Sequence, residues 1–287
     1  MAYERVSHTA TVLHDGRVLV MGGLCYNNDT KSVELYDPLT GNWTMTGKLN
    51  HARNGHTATL LKDGRVIVIG GDSGDKNGRT AELYDPGKGK WTRTGSLNFA
   101  RAGHIASLLS DGKVLVAGGE GVEDETPLKS SEFAELFDPD TGEWTFTGQL
   151  HHARLWHASN VLPNGRVLAC TGVNGDEYID ALDSAELYDP LMINRTRIDN
   201  LKCPRYSFAT VPLMGGKVLA IGGSVDDECG ITDSTELYDP STRSWILMDS
   251  LNLERDQHTV SALKDGRILV TGGWSYYCER TAELYVP

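Results

Sequence analysis

The sequence has no long apolar run, no excess of positive charge and only a modest aromatic content. No run approaches the roughly 18 apolar residues that a membrane span needs, and residues 1–8 lack the apolar region of a secretory signal. These absences argue against a membrane protein and favour a cytoplasmic location. Acidic residues number 39 against 27 lysines and arginines, and the resulting net charge of −12 disfavours nucleic-acid binding.

Cysteine is also scarce, and its spacing predicts no disulfide framework. The five cysteines are an odd number without tight pairs, so free thiols are the favoured interpretation: Cys25, Cys170, Cys203, Cys229 and Cys278. Three of them fall in loops of neighbouring repeats, which leaves a disulfide or a soft-metal site as the alternative. No phosphate-binding glycine loop, nucleophile elbow or zinc signature is present.

The sequence does contain a repeat that accounts for nearly all of its 287 residues. A glycine pair recurs at intervals of 48 to 54 residues, beginning at Gly22-Gly23 and reduced to Gly172-Val173 in the fourth copy. An Asp-Pro pair follows each glycine pair except the last, where the chain reads Val286-Pro287. Such self-similarity indicates supersecondary units that bury their apolar faces against neighbouring copies.

Each copy has the pattern of four short antiparallel strands. Turn pairs such as Asp15-Gly16 precede β-branched runs such as 17–21, as expected for a tight hairpin whose second strand is buried. Residues 32–36 and 42–46 provide the third and fourth strands on either side of the Asp-Pro turn. Four-stranded sheets in a long repeat predict a propeller.

The repeat resembles the kelch family in its double glycine, its Glu-Leu-Tyr-Asp-Pro segment and a tryptophan five residues after the proline, as in Trp43. The resemblance covers the whole chain and implies an all-β, six-bladed β-propeller. We therefore expect one domain, 1–287, with blades at approximately 5–49, 53–97, 101–150, 154–201, 205–251 and 255–287.

The sixth copy ends after its third strand, so we expect a blade that lacks its outer strand and exposes an edge. An edge of this kind predicts a monomer or a weak edge-paired dimer.

The loops between second and third strands differ in charge, and they emerge at the same end of a blade as the connections between blades. Residues 120–132, 174–183 and 224–233 each carry a net charge of −4, whereas the matching loops of blades one, two and six are neutral. Within them, the acidic residues chosen as binding candidates are Asp176, Glu177, Asp226, Asp227 and Glu228. Solvated acid is the favoured interpretation, and Ca²⁺ binding is the alternative, because hard carboxylate oxygens suit that ion.

An arginine opens the first strand of every copy, and a histidine follows three residues later in all but one. The arginines are Arg5, Arg53, Arg101, Arg154, Arg205 and Arg255. The kelch resemblance implies that this position lines the mouth of the central cavity and can bind acidic peptides, for which guanidinium groups are well suited. A residue present in every blade is more often architectural, and the histidines and the glutamates of Glu-Leu-Tyr are interpreted in that way.

Departures from the repeat are the better indication of function. They cluster where blades four and five meet, with Arg195 in place of tryptophan and Phe208 in place of histidine. Blade six adds loop aromatics of the kind enriched at binding hot spots, namely Trp274, Tyr276 and Tyr277. Relaxed selection on one blade explains the degeneracy equally well.

The sequence therefore predicts a non-catalytic module that recognises a protein or peptide through its loop-rich face. A basic partner segment would meet the acidic loops, while an acidic group would reach the arginines. The alternative is a small-molecule or metal-dependent enzyme, a kelch-type oxidase or lyase with its site in the funnel. Tyr276-Tyr277-Cys278 is only a superficial match to a radical-copper site, since no Tyr-His pair occurs.

Overall fold

The computed structural model describes residues 4–25, 28–72, 78–121, 131–175, 180–190, 192–225, 230–275 and 281–287. These residues form short β-strands and one single-turn 3₁₀ helix, Met214–Gly216. The chain divides into two compact units, Met1–Gln149 and Leu150–Pro287, and each unit contains three blades. No helix among the described residues has the length and apolar character that a membrane crossing requires.

The first unit contains three four-stranded antiparallel sheets, in each of which the strands pair in chain order. Blade one consists of Thr9–Val12, Val18–Met21, Val33–Asp37 and Asn42–Met45; blade two of Thr57–Leu60, Val66–Ile69, Ala81–Asp85 and Lys90–Arg93; blade three of Ile105–Leu108, Val114–Ala117, Phe133–Asp138 and Glu143–Gln149. A two-stranded pair, Leu24–Cys25 with Asn28–Asp29, extends the second-to-third-strand loop of blade one.

The second unit repeats the arrangement, but its last sheet has three strands among the described residues. Blade four consists of Ala158–Val161, Val167–Cys170, Ala185–Asp189 and Asn194–Arg197; blade five of Ala209–Pro212, Val218–Ile221, Thr235–Asp239 and Ser244–Leu247; blade six of Thr259–Ala262, Ile268–Thr271 and Ala282–Tyr285. Val173–Asn174 pairs with Asp180–Ala181 in the loop of blade four.

The repeated sequence motif fixes the register within each sheet. In blade two, Val68 lies opposite Glu82, and Tyr84 lies opposite Trp91, so that the two rings pack with their centroids 5.0 Å apart. The second strand of this blade is buried at every position, as the unbroken run of Val and Ile predicts. The Asp-Pro turn then reverses the chain into a fourth strand that is mostly exposed.

The apolar core of each unit lies between consecutive blades. Leu19, Met21 and Val33 of blade one pack against Val66 and Tyr84 of blade two. Equivalent clusters join blades two and three, blades four and five, and blades five and six. Because burying one such side chain contributes about 1.5–3 kcal/mol, a blade obtains much of its stability from its neighbour.

These sheets confirm the predicted fold class, an all-β, six-bladed β-propeller of four-stranded antiparallel blades with a last blade that lacks its outer strand. In the described residues, strand Ala282–Tyr285 pairs only with Ile268–Thr271, which agrees with the expected open edge. The division into one domain and the oligomeric state stay predictions.

The double glycine can be tested by a comparison within blade one. Gly23 has a φ of +93°, and an added Cβ would lie 2.5 Å from the Val6 carbonyl oxygen and 2.9 Å from the His8 Cβ. Gly16 has a similar φ of +86° but open space around it. Gly16→Ala should cost about 1–2 kcal/mol of unfolding free energy for the left-handed backbone alone, and Gly23→Ala a further 1–3 kcal/mol, roughly, for overlap. Denaturant unfolding of both variants measures the difference; equal losses would contradict it.

Candidate functional site

The arginine that opens each blade is held inside the fold by a set of hydrogen bonds that we call the arginine–glutamate clasp. In blade three, Arg101 Nη1 donates to the carbonyl oxygens of Gly118 at 2.7 Å and Phe133 at 2.9 Å. Its Nη2 donates to Glu135 Oε1 at 2.9 Å. Neither side chain is exposed to solvent. The clasp therefore ties the start of the first strand to the glycine pair and to the third strand.

Every blade contains the same ion pair. The shortest N–O separations are 2.8 Å for Arg5 and Glu34, 2.9 Å for Arg53 and Glu82, 2.9 Å for Arg101 and Glu135, 3.2 Å for Arg154 and Glu186, 2.9 Å for Arg205 and Glu236, and 3.1 Å for Arg255 and Glu283. All six arginine side chains are buried.

The glutamate of the clasp also holds the connection from the preceding blade. Glu135 Oε2 accepts hydrogen bonds from the backbone N–H and the side-chain amide of Asn98, both at 2.7 Å. Asn50 and Asn252 make the same pair of bonds to Glu82 and Glu283. The carboxylate of each of these glutamates thus accepts hydrogen bonds both from the arginine and from the chain segment that enters its own blade.

Consecutive blades are joined further by the glycine pair and the histidine. The N–H of Gly71 in blade two donates to the carbonyl oxygen of Arg101 in blade three at 2.9 Å. The ring of the next histidine, His104, lies against Gly70, and its Nε2 is 2.8 Å from the hydroxyl of Thr57. These contacts explain why arginine, glycine and histidine recur together.

Burial keeps two of these histidines, His56 and His258, in the neutral form. Burial and the charge of Arg53 lower the pKa of His56 from 6.5 to about 3. Burial and the charge of Arg255 lower the pKa of His258 from 6.5 to about 4. Phe208 occupies the equivalent position in blade five, so an apolar ring also fits there.

This geometry favours the architectural interpretation of the arginines over the binding one. Their guanidinium groups are buried, and each donates to a carboxylate and to backbone carbonyl oxygens. A ligand would have to displace the glutamate to reach one of them. The binding role expected for this position has no support from the contacts.

Each blade is entered by a four-residue stretch that runs from the arginine to the histidine position, and we call it the entry segment. Its two middle residues differ from blade to blade. One residue in each adopts a positive φ of 50° to 63°. It is Ser7, Gly55 and Gly103 in the first unit, and Trp156, Ser207 and Gln257 in the second. Backbone bonds join neighbouring segments within a unit, such as Gly103 N–H to the Gly55 carbonyl oxygen at 3.0 Å. The backbone is thus repeated while the side chains vary.

In the second unit the entry segments carry aromatic and acidic side chains. Trp156 is 44 % exposed, and its ring stacks on that of Tyr206 with centroids 6.3 Å apart. Tyr206 forms two backbone hydrogen bonds of 2.9 Å with Ser224, whose hydroxyl donates to Asp256 Oδ2 at 2.6 Å. Asp256 is buried, and its backbone pairs with that of Trp274, which is 49 % exposed. We call these five residues the aromatic rim.

Of the predicted binding residues besides the arginines, the structure describes only Trp274, and it lies in the aromatic rim. The remaining candidates fall outside the described residues: Asp176, Glu177, Asp226, Asp227, Glu228, Tyr276 and Tyr277. Sequence reasoning missed Trp156, Tyr206 and Asp256. A comparison of the copies would have found them, because valine, asparagine, alanine or leucine directly follows the arginine elsewhere, and serine, glycine or glutamine stands at the position of Trp156.

The departures from the repeat in blade four are accommodated locally. Arg195 stands where other blades have tryptophan, and its guanidinium lies 4.5 Å from the centroid of the Tyr188 ring. This cation–π contact replaces the pair of an aromatic ring with tryptophan that blades one, two, three and five contain. His151 takes the place of the clasp asparagine, and its Nδ1 lies 2.9 Å from Glu186 Oε2. A cavity of about 260 Å³ opens beside His151 and Arg197.

Within the described part of the chain, no group of three or more histidine, cysteine, aspartate or glutamate side chains is arranged to hold a metal ion. The candidate Ca²⁺ ligands of the acidic loops lie outside that part, so Ca²⁺ binding stays untested. Cys170 and Cys203 are free thiols.

Comparison with known families agrees with the repeat, the clasp and the blades. The family model described as the Kelch motif matches residues 5–50, 53–98 and 205–252. The chain is a kelch-repeat protein. The matched segments are blades one, two and five, which include the arginine, glycine pair and glutamate of the clasp. A search of curated proteins gives no match.

Removing one arginine should show how much the clasp contributes to the kelch fold. Arg101→Gln leaves Glu135 buried without its cation, which costs about 3–5 kcal/mol of unfolding free energy when a buried pair is broken. The exposed Arg93 provides the control, and Arg93→Gln should change stability by less than about 0.5 kcal/mol. Denaturant unfolding at neutral pH measures both; similar losses would show that the clasp is dispensable.

The buried histidines predict a loss of stability in mild acid. With a folded pKa of about 4 against 6.5 unfolded, His258 makes the unfolded chain bind more protons below pH 6.5. Its contribution is therefore complete above pH 6.5 and is lost as the pH falls towards 4, by about 3 kcal/mol at most. His258→Phe should flatten the dependence of unfolding free energy on pH over this interval. A variant with the wild-type slope would contradict the assignment, and comparison at pH 8 isolates any packing effect.

Proposed function

We propose that this protein is a non-catalytic recognition module that binds a protein or peptide through the loop-rich end of its blades. Kelch propellers generally bind proteins. The finer statement, that the entry segments and second-to-third-strand loops make the contact, is our proposal.

The observation that carries it is the separation of repeated from variable residues. The repeated arginine, glutamate, histidine and glycine residues are committed to contacts within and between blades. The variable residues of the entry segments share a backbone conformation, and Ser7, Trp156 and Gln257 among them are exposed. A scaffold whose invariant part is internal and whose varied part is external is suited to selective binding.

The charge of the loops also supports binding at this end of the blades. Three loops that follow second strands carry a net charge of −4 each, in blades three, four and five. An opposite charge on the partner would accelerate association and make it sensitive to salt.

Selection of a displayed library of random short peptides on the purified full chain tests the proposal. Synthetic copies of the enriched peptides should bind saturably, compete with one another, and lose affinity at higher salt. The triple variant Asp226→Asn, Asp227→Asn, Glu228→Gln should weaken binding roughly tenfold, as for a few charge pairs that contribute some tenths of a kcal/mol each.

The control variant is Asp140→Asn with Glu143→Gln, which removes exposed acid at the third-to-fourth-strand turn, the opposite end of a blade. Its affinity should match the wild type. Absence of saturable peptide binding, or equal loss in both variants, would overturn the proposal. Stoichiometric copper or iron in the purified protein would instead support a metal-dependent enzyme.

A further inference from the structure

The aromatic rim contains a bulky side chain on a left-handed backbone. Trp156 has a φ of +52°, a region that bulky side chains rarely adopt. Blades two and three place Gly55 and Gly103 at the equivalent position, where the conformation costs little. Strain of this kind persists where the surrounding structure enforces it, and it is found disproportionately at binding sites.

The side chain held in this conformation is not used for packing in the core. Nearly half of the Trp156 surface is exposed, although a tryptophan gains most by burial. Its partner Tyr206 is half-buried and stacks on it with an angle of 30° between the ring planes. The pair offers aromatic faces to a flat group from outside the chain.

The carboxylate of Asp256 is linked to this pair through Ser224, which is hydrogen-bonded to both Tyr206 and Asp256. Asp256 has 6 % of its surface exposed, and its Oδ2 accepts the Ser224 hydroxyl hydrogen bond. Its Oδ1 is buried and has no hydrogen-bond partner among the described residues. A buried acceptor left in this state costs free energy that a cationic donor would recover.

The loops of the same two blades carry charge of the same sign in the sequence. The loops of blades four and five, residues 174–183 and 224–233, each carry −4 and connect the strands that follow Trp156 and Tyr206. Asp183 and Asp233 in these loops are described and lie two residues before the third strands of their blades. Aromatic faces combined with acid favour a cation over an anion or a neutral group.

We propose that the aromatic rim binds an arginine side chain of a basic peptide segment, with Trp156 and Tyr206 stacking on the guanidinium and Asp256 supplying the opposite charge. Guanidinium is planar, stacks on aromatic rings and pairs with carboxylates, which matches all three residues. This inference rests on the proposed recognition function and specifies its partner chemistry.

The test uses fluorescence anisotropy on the full chain with three labelled peptides. The first alternates arginine and glycine, the second replaces arginine by its neutral analogue citrulline, and the third replaces it by glutamate. The arginine peptide should bind most tightly, and its affinity should fall as salt is raised.

Trp156→Gly is the decisive variant, because glycine already occupies this position in blades two and three. It should weaken the arginine peptide about tenfold, the order expected of a partly desolvated cation–π contact, and leave citrulline binding unchanged. Ser7→Gly is the matched control, since Ser7 has the same φ of +52° without an aromatic ring. Asp256→Asn should reduce both affinity and salt dependence while keeping an acceptor for Ser224.

Thermal melting should show Trp156→Gly to be as stable as the wild type, since the left-handed strain is removed. If that variant fails to fold, Trp156→Asn provides the same readout, because asparagine tolerates a positive φ. Equal arginine-peptide affinity in wild type and either folded variant overturns the inference. Tighter binding of the glutamate peptide also overturns it. A wild type that binds library-selected peptides but not the arginine peptide overturns the cationic site and leaves the recognition function standing.

Discussion

The arginine–glutamate clasp is the interaction on which the rest of the structure depends. It places a full charge pair inside each blade, where an unpaired ion would be costly, and it satisfies that pair with backbone groups from three different segments. The connection between blades, the glycine turn and the third strand are therefore positioned by one carboxylate and one guanidinium. The same ion pair is present in all six blades.

The sequence was sufficient to predict the sheets, because short apolar runs, turn pairs and a fixed period carry that information directly. Val66–Ile69 is buried at every position and pairs in the register that the Glu-Leu-Tyr-Asp motif requires. It was also sufficient to favour an architectural role for Glu82 and its equivalents. What it could not give was the partner of each arginine, since Arg53 and Glu82 are 29 residues apart and only the folded blade brings them to 2.9 Å.

The site was harder to predict than the fold because its signal lies in departures from a pattern. Trp274 was found because loop aromatics stand out in a sequence, whereas Trp156 precedes a histidine that recurs in five blades and is easily taken for part of the repeat. Its backbone has the same left-handed conformation as that of Gly55 and Gly103, and the structure shows that its aromatic side chain is nevertheless exposed. Arg195 is the opposite case. It is a conspicuous departure from the repeat, but in the structure it takes the place of the tryptophan and stacks on Tyr188.

The positive-φ residue of each entry segment is a position where the side chain changes from blade to blade while the backbone stays the same. Serine, glycine, tryptophan and glutamine occur there with the same positive φ. The residues that determine the fold are therefore the buried ones of the repeat, whereas the side chains that differ between blades lie at a few positions of the entry segments. A new specificity could be installed by exchanging single side chains at those positions, with the interior left untouched.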